Sequence, residues 1–290
     1  MEETSEYIRL KSNLSKLKLT KICEYLPSYM ENSETAGKPA IQVMRELTDA
    51  EIRFRDDRAA DMNFKLSNFP YRKTLDDFDY DYQPSIDRNI IADLRTLRFV
   101  ETGDNILFIG TSGVGKTHLA TGLGIEATDS HISTYFLHFR DLISRLRKAS
   151  AEGREEYVIK NLNKYKLLVI DEIGYFAVDK TIAGLFFQLV AARYEKRSII
   201  ITSNLSLSRW GEVFGDPVIT NAIIDRLVHH SNIIKITGRS YRIKGIFDDT
   251  PVAVDGEKNS CETLGSPSLV RKRGRPRKEI LIDQPTISTD

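Results

Sequence analysis

The sequence has almost no net charge: 42 Lys and Arg stand against 41 Asp and Glu, a formal +1 over 290 residues. That excludes a chain that coats nucleic acid by bulk basicity, so any DNA contact must come from local patches. Its two cysteines, Cys23 and Cys261, lie far apart and make neither a disulfide framework nor a zinc spacing. No apolar run approaches the ~18 residues that cross a bilayer. Behind Met1-Glu2-Glu3 there is no apolar h-region, which argues against a secretory signal. No internal repeat is visible. The expectation is a cytoplasmic protein with no membrane partner. What is present is an ordinary 41% hydrophobic content and enough length for one α/β core with smaller attachments.

Residues 1–68 read as a small N-terminal helical domain. Leu14, Leu17 and Ile22 fit one helical face, and Ile41, Met44, Leu47, Ile52 and Phe54 follow among many charges. Pro27 and Pro39 are expected to separate helices. Residues 69–88 alternate aromatics and aspartates between Pro70 and Pro84, a linker expected to pack on the core. A helix with Ile90, Ile91, Leu94, Leu97 and Val100 on one face should open the ATPase domain, 89–250. From there strands and helices alternate. Strands are predicted at Asn105–Ile109, His131–Phe139, Leu167–Ile170, Ser198–Thr202 and Ile233–Thr237, and helices after the glycine loop and at Asp141–Ala149, Thr181–Tyr194 and Asn221–His229. Such a pattern implies an α/β fold with a mainly parallel sheet covered on both faces. Residues 251–290 carry Ser, Pro, Gly and charge with little periodicity and read as a disordered tail.

Gly110-Thr111-Ser112-Gly113-Val114-Gly115-Lys116-Thr117 fits G-x-x-x-x-G-K-[ST] between an apolar strand and a helix, with His118 next. The glycines let backbone N–H groups converge on phosphates, and the helix N-terminus adds its partial positive charge. Lys116 would neutralise the β- and γ-phosphates of ATP, and the Thr117 hydroxyl would ligate Mg²⁺. The run Leu167–Ile170 ends in Asp171 and Glu172. Asp171 would hold Mg²⁺ and Glu172 would polarise the attacking water, on a strand expected beside the P-loop strand. Asn204, closing the run from Ile199, could orient water at the γ-phosphate or simply complete a turn.

Further signals are less specific. Arg226 could stabilise a transferring phosphoryl group in cis or from a neighbouring subunit, or form a surface ion pair. His229 and His230 have no Cys or acid at ligand spacing, which favours a structural role over a metal site. Arg145, Arg147 and Lys148 share a helix with Leu142, Ile143 and Leu146; they are DNA candidates or a solvated face. In the tail, Arg271–Lys278 contains Arg273-Gly274-Arg275-Pro276, which resembles an AT-hook whose two arginines can lie in a narrow minor groove, or is a generic phosphate-binding or solubilising basic run.

The segments GTSGVGKTHLATGLG, LLVIDEIGY, RYEKRSIIITSNL, AIIDRLVHH and GRSYRIK, with Trp210 and the upstream KTLDDFDY, together resemble the IstB family. These are AAA+ helper ATPases of insertion sequences, related to the helicase loader DnaC and the initiator DnaA. The resemblance spans residues 5–247. It implies an AAA+ core with little or no C-terminal lid, ATP-dependent homo-oligomerisation on double-stranded DNA, and delivery of a target to the transposase of the same element. It gives Asn204 a sensor-1 role and Arg226 an arginine-finger role, and it matches Arg242 without assigning it a task. A DnaC-like helicase loader and a non-catalytic DNA-binding adaptor are the alternatives, and intact Lys116 and Glu172 speak against the second.

Overall fold

Five apolar runs become five parallel strands. The computed structural model describes residues 5–31 and 38–243. In it the strands are β1 (Asn105–Gly110), β2 (Thr134–His138), β3 (Leu167–Ile173), β4 (Ser198–Ser203) and β5 (Ser231–Ile236), ordered β2-β3-β4-β1-β5. Parallel neighbours need crossovers, and helices supply them. They are α6 (Lys116–Asp129), α7 (Phe139–Ala151), α8 (Glu155–Leu162), α9 (Lys180–Arg193), α10 (Gly211–Phe214) and α11 (Pro217–Val228). Ahead of the sheet come α1 (Ser5–Lys16), α2 (Thr20–Glu31), α3 (Ala40–Leu66), α4 (Arg88–Arg95) and α5 (Arg98–Thr102). The tail with Arg273 and Arg275 lies outside the described residues.

Alternation along the strands divides the core in two. Leu107, Ile109, Leu168, Ile170, Ile199 and Ile201 face α7, α9 and α11, while Ile106, Phe108, Leu167, Val169 and Ile200 face α4 and α6. The linker joins the second core through Leu75, Phe78 and Ile86, all buried. Each such side chain removed from water stabilises the fold by ~1.5–3 kcal/mol.

The expectation that the acidic strand lies beside the P-loop strand is not met. β4 stands between them, pairing Ile106 with Ile200 on one side and Val169 with Ile200 on the other. β5 fills the far side of β1, with Ile106 opposite Asn232. Ile199–Ile201 is as apolar as Leu167–Ile170, so composition alone does not say which run takes the centre.

Several helical expectations also change. Leu14 lies in α1 and Ile22 in α2, and Leu17 sits exposed in the turn between them, so they share no single face. Pro39 does precede α3, but Pro27 lies inside α2. At its first turn α2 is held from outside: the buried Glu51 of α3 accepts from the backbone N–H groups of Lys21 (2.7 Å) and Ile22 (3.3 Å). The expected helix through residues 90–100 is two helices, broken at Leu97, whose φ is 62°, and Ile90 is exposed. Residues 131–133 precede β2 rather than belong to it, and Phe139 opens α7.

Arg193 ties the N-terminal ends of the sheet together. It is fully buried at the end of α9. Nη1 donates to the carbonyls of Leu162 and Tyr165 at 3.1 Å each, and Nη2 to those of Lys166 (3.1 Å) and Ser198 (2.8 Å). Burial pushes its pKa down, to about 9, so the guanidinium is still charged at neutral pH. Arg193→Met keeps the bulk and removes every donor. We expect a loss of about 2–4 kcal/mol, read as a lower thermal midpoint. Nucleotide affinity should hold, since the clamp sits at the opposite end of the strands from the glycine loop. Wild-type stability in this variant would show the clamp to be idle.

Candidate nucleotide-binding site

The glycine loop leaves β1 at Gly110 and enters α6 at Lys116. Gly113 has φ +83° and Gly115 φ +98°, values an L side chain rarely adopts. Both are also pressed from outside. A Cβ at Gly113 would strike Ser240, and one at Gly115 would come within 2.5 Å of the Phe78 ring. The linker and the segment after β5 therefore close on the loop, and the Tyr241 N–H donates to the Gly113 carbonyl at 2.9 Å.

Lys116 folds back over this loop. Its Nζ donates to the carbonyls of Gly110 (2.8 Å) and Thr111 (2.7 Å). Burial lowers its pKa, and the nearby charges of Asp171 and Glu172 offset part of that. Thr117 Oγ1 donates to Asp171 Oδ1 at 2.8 Å, and Thr202 Oγ1 donates to the same oxygen at 2.6 Å. The interposed β4 thus contributes a hydroxyl where the two motifs meet. Asp171 is nearly inaccessible, and its Oδ2 lies 3.3 Å from Nδ1 of His138 at the end of β2.

Glu172 turns away from its strand. The register of β3 against β4 slips between Ile170 and Ile173, and Glu172 has φ 68°. Its N–H donates to Thr202 Oγ1 at 2.9 Å. A bulge of this kind re-aims a side chain, and here both Glu172 and Asn204 line a cavity of about 370 Å³ with Ser112, Gly113, Gly115, Lys116 and Thr117. Asn204 Oδ1 is buried with no hydrogen-bond partner among the described residues, packed where a side chain at Gly174 would sit. His118 also borders the cavity, but its Nε2 donates to the Thr74 carbonyl at 2.8 Å and its ring meets Phe78 edge-on. Burial pushes His118 below the usual histidine range.

The linker and C-terminal segment add wall residues to which motif reading gave no role: Tyr71, Lys73, Asp79, Tyr241, and Arg242, which the resemblance had matched without a task. Burial raises Tyr241 to about 12, so it lines the cavity as a neutral phenol. Arg242 Nη1 donates to Ser112 Oγ at 3.3 Å. His138 and Thr202 were also missed. Their signal was available: each is a polar residue ending an apolar strand, at the sheet edge where α/β ligands bind.

Other candidates fall elsewhere. Arg226 does not line the cavity; its guanidinium lies over the rings of Phe187 (4.6 Å) and Tyr194 (5.9 Å). On α7, Leu142, Ile143 and Leu146 are buried as expected. Arg145 donates to Tyr135 Oη at 2.8 Å, and Arg147 pairs with Asp179 at 3.3 Å. His229 and His230, which had no acid at ligand spacing in the chain, are met in space by Glu195. Among the described residues no helix is long and apolar enough to cross a membrane.

A glycine loop closing β1, an acid-ended strand one place removed across β4, and a parallel sheet covered on both faces define a P-loop AAA+ nucleotide-binding fold. The chain belongs to the IstB-like ATP binding protein family, whose model matches residues 12–247. It is 45% identical over 243 residues to a protein of Bacillus thuringiensis subsp. berliner named as the ATP-binding protein of insertion sequence IS232, covering 84% of this chain and 97% of that one. It is 40% identical over 231 residues to the corresponding IS21 protein of Pseudomonas aeruginosa, covering 80% and 87%. The crystal structure of DnaI has a TM-score of 0.48 at 22% identity, covering 57% of this chain and 92% of that one.

Proposed function

We propose that this chain is the ATP-hydrolysing helper of an insertion sequence. In this reading it is a cytoplasmic protein that assembles with copies of itself on double-stranded DNA when ATP is bound, and presents that DNA to the element's transposase. The observation that carries the reading is the 2.8 Å bond from Thr117 to the buried Asp171, beside a cavity that Thr117, Glu172 and Asn204 line. The relatives' names support the insertion-sequence setting and give the helicase-loader alternative no comparable support.

The residues divide the work. Residues Gly110 to Thr117 hold the phosphates through backbone N–H groups, and Lys116 supplies the positive charge. Thr117 Oγ1 and the Asp171 carboxylate are hard oxygen donors, a set that suits Mg²⁺. When bound, that ion neutralises charge on the β- and γ-phosphates. Glu172 takes a proton from the attacking water onto its carboxylate as the oxygen bonds to phosphorus and the bond to ADP breaks. Asn204 aligns that water, and Arg226 of a neighbouring copy offsets the charge that develops. His118, tied to the linker, links loop occupancy to the position of residues 74–78. For DNA, Arg145, Arg147 and Lys148 present an exposed basic face. A guanidinium has five N–H donors, so the contacts to Tyr135 and Asp179 leave others for phosphate. Arg273 and Arg275 would add minor-groove contacts.

Electron microscopy with ATP and duplex DNA tests the assembly. Wild-type protein should form rings or filaments only with both present, and Lys116→Ala should form none because it loses nucleotide. Wild-type protein that stays dispersed with both would refute the proposal.

A further inference from the structure

We infer that Glu195, His229 and His230 form a binding site for a divalent transition-metal ion of the zinc type, distinct from the nucleotide cavity. The three residues come from two segments. Glu195 lies in the turn between α9 and β4, and the histidines lie where α11 ends and β5 begins. One ligand atom from each lies within 4.8 Å of the others.

Tetrahedral zinc, with bonds of ~2.0–2.2 Å, sets its ligand atoms roughly 3.3–3.5 Å apart. His230 Nε2 and Glu195 Oε1 are already 3.3 Å apart, so one edge of that tetrahedron is in place. The remaining edges close by side-chain movement alone, and all three residues are exposed enough to make it. A ligating histidine needs its second ring nitrogen hydrogen-bonded, which fixes the tautomer. His229 Nδ1 has such a partner in the Tyr194 hydroxyl at 2.8 Å; in the tautomer where Nδ1–H donates to it, the Nε2 lone pair is left for an ion. The backbone at both ends is anchored. The His229 N–H donates to Asp225 O at 3.0 Å, and the His230 carbonyl accepts from Asn105 N at 2.8 Å. Glu195 holds φ 55°, an uncommon conformation for a glutamate, which the turn maintains. Two imidazoles and one carboxylate suit zinc, with water completing the shell. The site also reaches the ATPase machinery. Tyr194, which fixes His229, is one of the rings under Arg226, so an occupied site would stiffen that perch.

The test is calorimetric titration of chelator-treated full-length protein with zinc chloride. All proteins carry His138→Ala, because His138, Asp171 and Glu172 form a second group with metal-ligand spacing. The Glu195/His229/His230 protein should bind one saturating equivalent. Adding Glu195→Gln and His230→Ala together should weaken that equivalent by about 10–100-fold or abolish it. Zinc should also raise the thermal midpoint of the first protein and leave the second unmoved. Circular dichroism checks that both are folded. No saturable equivalent in the first protein, or an undiminished one in the second, overturns the site and leaves an ordinary surface ion pair. Either result is independent of nucleotide binding, so it stands apart from the proposed function.

Discussion

Glu172→Gln should bind ATP and fail to hydrolyse it, with turnover reduced about 10²–10⁴-fold, the range for loss of a positioned base. Asp171 and Glu172 are adjacent in the chain yet do different things, and the backbone is the reason. Asp171 continues the strand, buried, and accepts two hydroxyls. Glu172 lies within the register slip and sits at φ 68°, which carries its carboxylate into the cavity. That conformation costs of order 1–3 kcal/mol for a residue with a side chain. Gln bears the same cost, keeps the Thr202 contact through its N–H and fills nearly the same volume. Only the capacity to take a proton is lost, so binding and turnover should separate. Glu172→Gly makes the complementary point: glycine accepts this φ without strain, so the protein should unfold no earlier than wild type while turnover is lost. If Glu172→Gln turns over at the wild-type rate, the base is another group and the bulge has a structural purpose only.

Local chemistry announced itself in the sequence wherever a motif is contiguous. The glycine loop was legible because Gly113 and Gly115 meet a steric demand that few other residues satisfy. β1, β3 and β4 were legible as apolar runs because both faces of the sheet are covered there, and β5 only through Ile233, Ile234 and Ile236. Their order was not, since β3 and β4 are equally apolar and which of them flanks β1 depends on pairing between distant segments. α8 went unseen because Leu162 is its one buried residue, too little for a periodic signal. The break at Leu97 was hidden by apolar spacing that runs on through it. Thr202 and His138 reach the site from the ends of β4 and β2 and Arg242 from the segment after β5, and the acid beside His229 and His230 comes from a turn more than 30 residues upstream in the chain, at Glu195. Spacing rules read neighbours along the chain, and these residues become neighbours only in the fold.

Arg226→Ala should bind ATP normally and hydrolyse it slowly, and it should regain activity when mixed with Lys116→Ala. Arg226 lies outside its own nucleotide cavity, held over Phe187 and Tyr194. A cation–π perch of this type is worth roughly 0.5–2 kcal/mol. An arginine supplied to a phosphoryl transition state is worth about 10³–10⁵ in rate where it has been measured, or about 4–7 kcal/mol at 1.36 kcal/mol per decade. Leaving the perch is therefore a small cost against the gain, provided a neighbouring copy presents its γ-phosphate to α11. In the mixture, a Lys116→Ala subunit lends its intact Arg226 to the intact P-loop of an Arg226→Ala subunit, so a fraction of interfaces become competent. The same geometry makes specific activity rise with protein concentration and with duplex DNA that gathers subunits. Steady-state ATPase assays over a dilution series, with each variant alone and in mixtures, read all of this together. Activity that stays flat with concentration, and variants that never complement, would place Arg226 outside the reaction and leave its stacking on Phe187 and Tyr194 as its whole role.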